Sequence, residues 1–257
     1  MRKFPLMLFI TGTDTGVGKT HVAAVLLQQL QLLGLIAAAY KPVCSGIEFA
    51  TPATSTPQNP ATGFWSDLRR LQQACSLPAR IEEICPQRFL APLAPDAAAR
   101  AEGREVDDQL LSAGLLAWRN RCDLVVIEGA GGLYCPLSAH STVFDLLQRL
   151  ACPVVVVAGN RLGVISHTRM TVELLQRSGC DVVGVVLNDI TPPDPSDTDI
   201  SRSSNARQLQ TWLPALPLLQ CSWNGTRLNL LQPENSAADW LQQTAEKAAQ
   251  RWLEWTA

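Results

Sequence analysis

Gly12-Thr13-Asp14-Thr15-Gly16-Val17-Gly18-Lys19-Thr20 is the stretch that decides the fold. It fits G-x-x-x-x-G-K-[ST], and the chain around it has the order this pattern requires. Before it runs Leu6–Ile10, a short apolar segment read as a buried strand; after it, Lys19–Leu33 carries helix formers with apolar residues at helical spacing, stopped by Gly34. Glycines let backbone N–H groups approach phosphate oxygens, and the start of the following helix adds positive potential. Gly16, Val17 and Gly18 then supply backbone to a nucleotide. Lys19 reaches the β- and γ-phosphates, Thr20 offers its hydroxyl to Mg²⁺, and His21 follows as a further nucleotide contact. A chance glycine-rich turn would have no reason to sit between a strand and a helix.

Working outward, Leu35–Tyr40 reads as a second strand ending at Lys41-Pro42, and Leu124–Ile127, Val154–Ala158 and Val182–Leu187 as three more. These runs are continuous and Val-rich, which suits strands covered on both faces. Helical patterns at Asp67–Ala74, Val106–Trp118, Val143–Leu150 and Val164–Arg177 alternate with them. The expected fold is α/β: an open, doubly wound, mostly parallel sheet with helices on both faces, its ligands at the carboxyl ends of the strands. Residues 49–63 and 191–205 read as loops, and Ala237–Trp255 as a closing helix with Leu241, Ala245, Ala248 and Trp252 on one stripe. Its charges are mixed, without the basic polar face of a membrane-surface helix, so it is expected to pack on the domain.

A chain of 257 residues suits one domain spanning 1–257. With a net charge of −2 and no Lys/Arg block, it lacks the basic footprint of a nucleic-acid binder. No apolar run is long enough to cross a membrane, and the N-terminal run leads straight into the phosphate loop instead of a cleavage site. The eight cysteines form no C-x-x-C pair and read as reduced thiols of a cytoplasmic protein.

Two further strand ends carry polar groups. Asp123–Gly132 is an apolar strand closing on Glu128 and the glycine-rich turn Gly129-Ala130-Gly131-Gly132. Glu128 there is either a Mg²⁺ ligand beside the phosphate loop or a solvated strand-end acid, and the glycines allow close approach to a ligand. Asn188-Asp189 follows another strand; an Asn amide can pair with an adenine edge, but Asn and Asp are also ordinary turn residues.

Four segments occur in a particular order: GTDTGVGKT at 12–20, YKPVCSG at 40–46, VIEGAGGLYCPL at 126–137 and VVLNDITPP at 185–193. Together, over about residues 6–195, they resemble the dethiobiotin synthetases, and the run Asn160–His167 adds to the likeness. The resemblance implies an ATP- and Mg²⁺-dependent ligase that joins CO₂ to 7,8-diaminononanoate and closes a ring through a carbamate and a carbamic–phosphoric anhydride. It implies that Lys41 stands at the reacting centre, that Thr15 and Ser45 contact substrate, and that Asp67 joins Thr20 and Glu128 around Mg²⁺. By itself Asp67 also reads as a helix N-cap, and Lys41 as a solvated strand-end lysine. The resemblance further implies that Asn188 and Asp189 lie with the nucleotide, and that the protein is a homodimer in which residues 160–167 of one subunit meet the other's substrate.

Departures from the family pattern lie at Gly16, where some members are acidic, at the insertion 49–63, at Pro95-Asp96, and in the tail from Pro217 to Trp223. The rival readings are another P-loop ATPase of the amidoligase or partitioning type, and a non-catalytic nucleotide switch. Partitioning ATPases carry an early lysine in the loop, absent from Thr13–Gly16, and the tail is too short for a glutaminase domain. ATP turnover stimulated by a diamine separates an enzyme from a switch.

Overall fold

The computed structural model describes residues 4–49, 63–194, 198–232 and 236–256. In chain order come β1 (Leu6–Gly12), α1 (Lys19–Leu32), β2 (Ala37–Tyr40), β3 (Val43–Ser45), β4 (Glu48–Phe49), β5 (Gly63–Phe64), α2 (Ser66–Ala74), α3 (Ile81–Ile84), β6 (Gln87–Phe89) and α4 (Pro95–Ala101). There follow α5 (Leu110–Ala113), β7 (Leu124–Gly132), α6 (Val143–Leu150), β8 (Val154–Gly159), α7 (Val164–Arg177), β9 (Val182–Asn188), α8 (Arg202–Trp212), β10 (Leu218–Cys221), β11 (Asn229–Gln232) and α9 (Ala237–Thr256).

Seven strands form one sheet in the order β11-β10-β9-β8-β1-β7-β2. All neighbours are parallel except β10 and β11. Alternate residues of a strand point to opposite faces, and every residue of β8 and β9 is buried, so both faces of the sheet are covered. The chain leaves β1 toward the β2 edge, returns through β7, and crosses to β8 on the other side. Connections that diverge around β1 open a crevice at the carboxyl ends of the central strands, where the phosphate loop lies.

The closing helix packs on the sheet as expected. Trp240, Leu241, Thr244 and Ala248 are buried, and Trp240 Nε1 donates to Val183 O at 2.8 Å. Of the expected stripe, Leu241 and Ala248 are buried and Ala245 is partly buried against the core, with Trp240 and Thr244 widening it; the side chain of Trp252 lies outside the described residues. No helix among the described residues is long and apolar enough to cross a membrane.

Three sequence expectations are corrected. The pattern at 106–118 is not one helix. Asp107 Oδ1 accepts from the backbone N–H groups of Gln109 and Leu110 at 2.9 and 3.1 Å, which starts α5 late. Tyr40 Oη then lies 3.0 Å from the carbonyls of Leu110 and Leu111, and the chain tightens into a 3-10 turn over Gly114–Trp118. A Cβ at Gly114 would stand 2.2 Å from Tyr40 Oη, so the approach needs glycine. The segment 191–205 is not all loop, since α8 begins at Arg202. Glu128 does not end its strand: β7 continues through the glycines to Gly132, with a register shift opposite β1. The loop expected at 49–63 falls on residues 50–62, outside those described; its flanks pair as the antiparallel ribbon β4–β5.

Candidate active site

The phosphate loop joins β1 to α1. Gly18, at the head of α1, has φ +86°, and a Cβ there would stand 2.1 Å from Asn188 Nδ2. Only glycine accepts both the left-handed backbone and that contact. Asn188 ends β9, next but one to β1 in the sheet, and its Nδ2 donates to Val17 O at 3.0 Å. Lys19 Nζ donates to Asp14 O at 2.9 Å across the loop. The Asp14 carboxylate accepts from Thr15 N at 2.7 Å and from Arg161 at 2.8 Å.

Strand register builds the second half of the site. β2 pairs with β7 so that Tyr40 faces Ile127, which sets Lys41 beside Glu128. Lys41 Nζ donates to Glu128 Oε1 at 2.9 Å and to Asp67 Oδ2. Thr20 Oγ1 donates to the same Glu128 oxygen at 2.7 Å. Lys41 is 5% exposed and Glu128 1%, whereas Asp67 is half-buried. The N-cap of α2 is Trp65, so Asp67 does not cap the helix and its carboxylate is free to reach Lys41. Nor is Lys41 a solvated lysine.

Burial opposes the Lys41 charge, but the carboxylates of Glu128 and Asp67 outweigh it and hold its pKa above the ordinary lysine value. Burial lowers the pKa of Lys19, against the pull of Glu128. Glu128 Oε2 is buried with no hydrogen-bond partner. A buried acceptor without a partner is costly and marks a position for a donor or cation.

Burial pushes the Asp67 carboxyl up, but the Lys41 cation and its hydrogen bond pull it further down, below the usual carboxylate range. A depressed folded pKa gives stability that is present above the unfolded Asp value of about 3.9 and is lost as pH falls through the lower folded value. The Tm gap between wild type and Asp67→Asn is therefore constant near neutrality and closes below about pH 4. Calorimetry across that range checks this, and a gap unchanged down to about pH 2 would rule out the Lys41–Asp67 linkage.

These groups line a cavity of about 310 Å³. From the phosphate loop and α1 it takes Thr15, Gly16, Gly18, Lys19, Thr20 and His21. Lys41 and Ser45 line it from the β2–β3 segment, Asp67 from α2, and Glu128 to Gly131 from β7. Ser45 Oγ donates to Leu93 O at 2.6 Å. The structure thus brings together every sequence-selected residue except Val17, Asn188 and Asp189. Val17 is buried beneath the loop and offers its carbonyl to Asn188. Asn188 itself is 3% exposed, behind Gly18. The Asp189 carboxylate faces a separate open depression, where it accepts from Asn160 Nδ2 at 2.8 Å. The sequence reading missed Arg70, Val43 and Cys44, which also line the cavity. Arg70 had one signal available: it stands one helical turn beyond Asp67.

A glycine-rich loop between the central strand and its helix, with lysine and threonine at the helix start, on a mostly parallel sheet, defines a P-loop nucleotide-binding fold. An AAA domain family model matches residues 7–221. The ATP-dependent dethiobiotin synthetase of Anaeromyxobacter dehalogenans strain 2CP-C is 44% identical over 78% of this chain and 84% of its own length. That of Escherichia coli K12 is 35% identical over 89% and 93%. The chain belongs to the ATP-dependent dethiobiotin synthetase family. A looser likeness in fold runs to the septum site-determining protein MinD of Pyrococcus horikoshii OT3, at 16% identity, TM-score 0.46 and 94% of each chain.

Proposed function

We propose that this chain is an ATP-dependent cyclo-ligase that makes dethiobiotin from 7,8-diaminononanoate and CO₂ in biotin biosynthesis. Family membership supports the reaction, and one observation supports the chemistry at this site. The Lys41 ammonium is buried between Glu128 and Asp67 on the cavity that the phosphate loop lines. One amine of the substrate adds CO₂ and loses a proton to give a carbamate. A carbamate oxygen attacks the γ-phosphorus of ATP, the bond to the leaving ADP oxygen breaks, and a carbamic–phosphoric anhydride results. The second amine attacks the carbonyl carbon, phosphate leaves, and the ring closes.

Phosphoryl transfer depends on positioning and charge. Lys19 and the loop amides hold the β- and γ-phosphates. Lys41 holds the carbamate and offsets charge at the transferring group. Its cation persists through the pH range of the reaction because two carboxylates face it. Thr15 and Ser45 contact the diamine. The Thr20 hydroxyl, the Glu128 and Asp67 carboxylates, and the partnerless Glu128 Oε2 form the hard-oxygen set that suits Mg²⁺. When bound there, Mg²⁺ neutralises phosphate charge.

Residues 1–257 act as one ligase domain in the cytoplasm, and Asn188 and Asp189 lie on the adenine side of the nucleotide. The protein works as a homodimer in which the 160–167 segment reaches the partner's substrate; the exposed Leu162 and Met170 on that side fit such a contact. A fully active monomer would refute the dimer.

The test is mass-spectrometric detection of dethiobiotin from purified protein, diaminononanoate, bicarbonate, Mg²⁺ and ATP. Product that requires both ATP and the diamine is expected. A folded, ADP-binding protein that yields none would sink the substrate assignment.

A further inference from the structure

The cavity holds a cation that the reaction outlined above does not use. Arg70 lies on α2 one turn beyond Asp67, and its exposed side chain lines the same cavity. Its neighbour Arg69 is engaged elsewhere, 4.2 Å over the ring of Phe64. Arg70 makes no ion pair among the described residues. Its one polar contact there is NH1 to His21 Nδ1 at 3.4 Å. A guanidinium set beside an imidazole, with no ion pair to a carboxylate among the described residues, keeps its charge available to an anion.

The direction of the nucleotide follows from the loop. Backbone N–H groups of a P-loop cradle the α- and β-phosphates, while its lysine takes the β- and γ-phosphates. Lys41, Glu128 and Asp67 mark the γ-phosphate end of this cavity. His21 is the residue after Thr20, in the first turn of α1, next to the loop amides that cradle the α- and β-phosphates. Arg70 reaches the cavity next to His21.

We propose that Arg70 is a further nucleotide-binding residue, a guanidinium supplied by α2 that clamps the α-phosphate of the bound nucleotide beside His21. This rests on the ATP-dependent reading above and adds to it. The same helix then carries an acid for the reacting end of ATP and a base for its other end, one turn apart. An arginine suits this place because its planar fork takes two phosphate oxygens at once, which a lysine cannot do.

The experiment is calorimetric titration of ADP and of a non-hydrolysable ATP analogue into wild type, Arg70→Ala and Arg70→Lys, with steady-state kinetics beside it. Losing a charge-assisted contact weakens both nucleotides in Arg70→Ala by roughly 10- to 100-fold. Arg70→Lys recovers part of this. The KM for ATP rises while that for the diamine stays put, and kcat falls far less than kcat/KM, the signature of lost ground-state binding. Unchanged ADP affinity in Arg70→Ala overturns the proposal, as does a loss confined to the ATP analogue, which would put Arg70 at the γ-phosphate. Wild-type protein that binds neither nucleotide would instead refute the ATP-dependent reading itself.

Discussion

Lys41→Ala lowers dethiobiotin formation by at least about 10²- to 10³-fold, the usual cost of removing one preorganised charge from a transition state. The ammonium pairs with both Glu128 and Asp67, and in the proposed mechanism it is the group that faces a carbamate at the γ-phosphate. Alanine leaves no cation there, and it leaves Glu128 buried without its ion pair. Breaking a buried pair from one side costs roughly 3–5 kcal/mol. The same alanine removes the cation that holds the Asp67 carboxyl low, so the variant's Tm deficit is greatest at neutral pH and shrinks in acid. ADP affinity holds within a few-fold, because Lys19 and the loop amides remain. Kinetics, a Tm series against pH and ADP titration together check the three parts. Activity within about tenfold of wild type would remove Lys41 from the chemistry.

Gly18→Ala should abolish nucleotide binding and destabilise the fold. Two costs fall on one atom. A non-glycine residue at φ +86° strains the backbone, and the new methyl would sit 2.1 Å from Asn188 Nδ2. Asn188 is buried and cannot swing into solvent, so the Nδ2 bond to Val17 O must break or the loop must shift. Strain and a lost buried hydrogen bond sum to about 2–5 kcal/mol. Since Gly18 heads α1, any shift moves Lys19 and Thr20 with it. The double variant Gly18→Ala/Asn188→Ala separates the causes: it removes the overlap and keeps the backbone strain. Partial recovery of Tm without recovery of ADP binding is expected. A Gly18→Ala protein that binds ADP as wild type does would show that the contact with Asn188 is soft.

Much of the fold was legible because its signals are local. The Val-rich runs at 154–158 and 182–187 are strands buried on both faces, as their lack of alternation implied. Helices α1 and α7 end just before Gly34 and Gly179, which punctuate the chain. The misreadings fell where a distant residue overrode the local pattern. Residues 106–118 have helical periodicity, yet the Tyr40 hydroxyl, some 70 residues away, meets the carbonyls of α5 and Gly114 yields to it. The glycines after Glu128 read as a turn, but the strand runs on past a left-handed Gly131 to Gly132, which pairs with Gly12 of β1.

The site divides in the same way. The sequence alone determined the phosphate loop, Lys19 and Thr20, because nine consecutive residues carry the whole device and its geometry depends on little else. It also placed Lys41 and Glu128 at the ends of apolar runs. It could not say that they touch. That is decided by the register of β2 on β7, across 87 residues, and by the direction in which α2 presents Asp67 and Arg70. The Asn188 bond to Val17 O that backs Gly18 spans 171 residues and depends on β9 lying next but one to β1. Composition and periodicity report what a segment does with its own backbone, whereas which charges share a buried cavity is settled by the packing of the sheet.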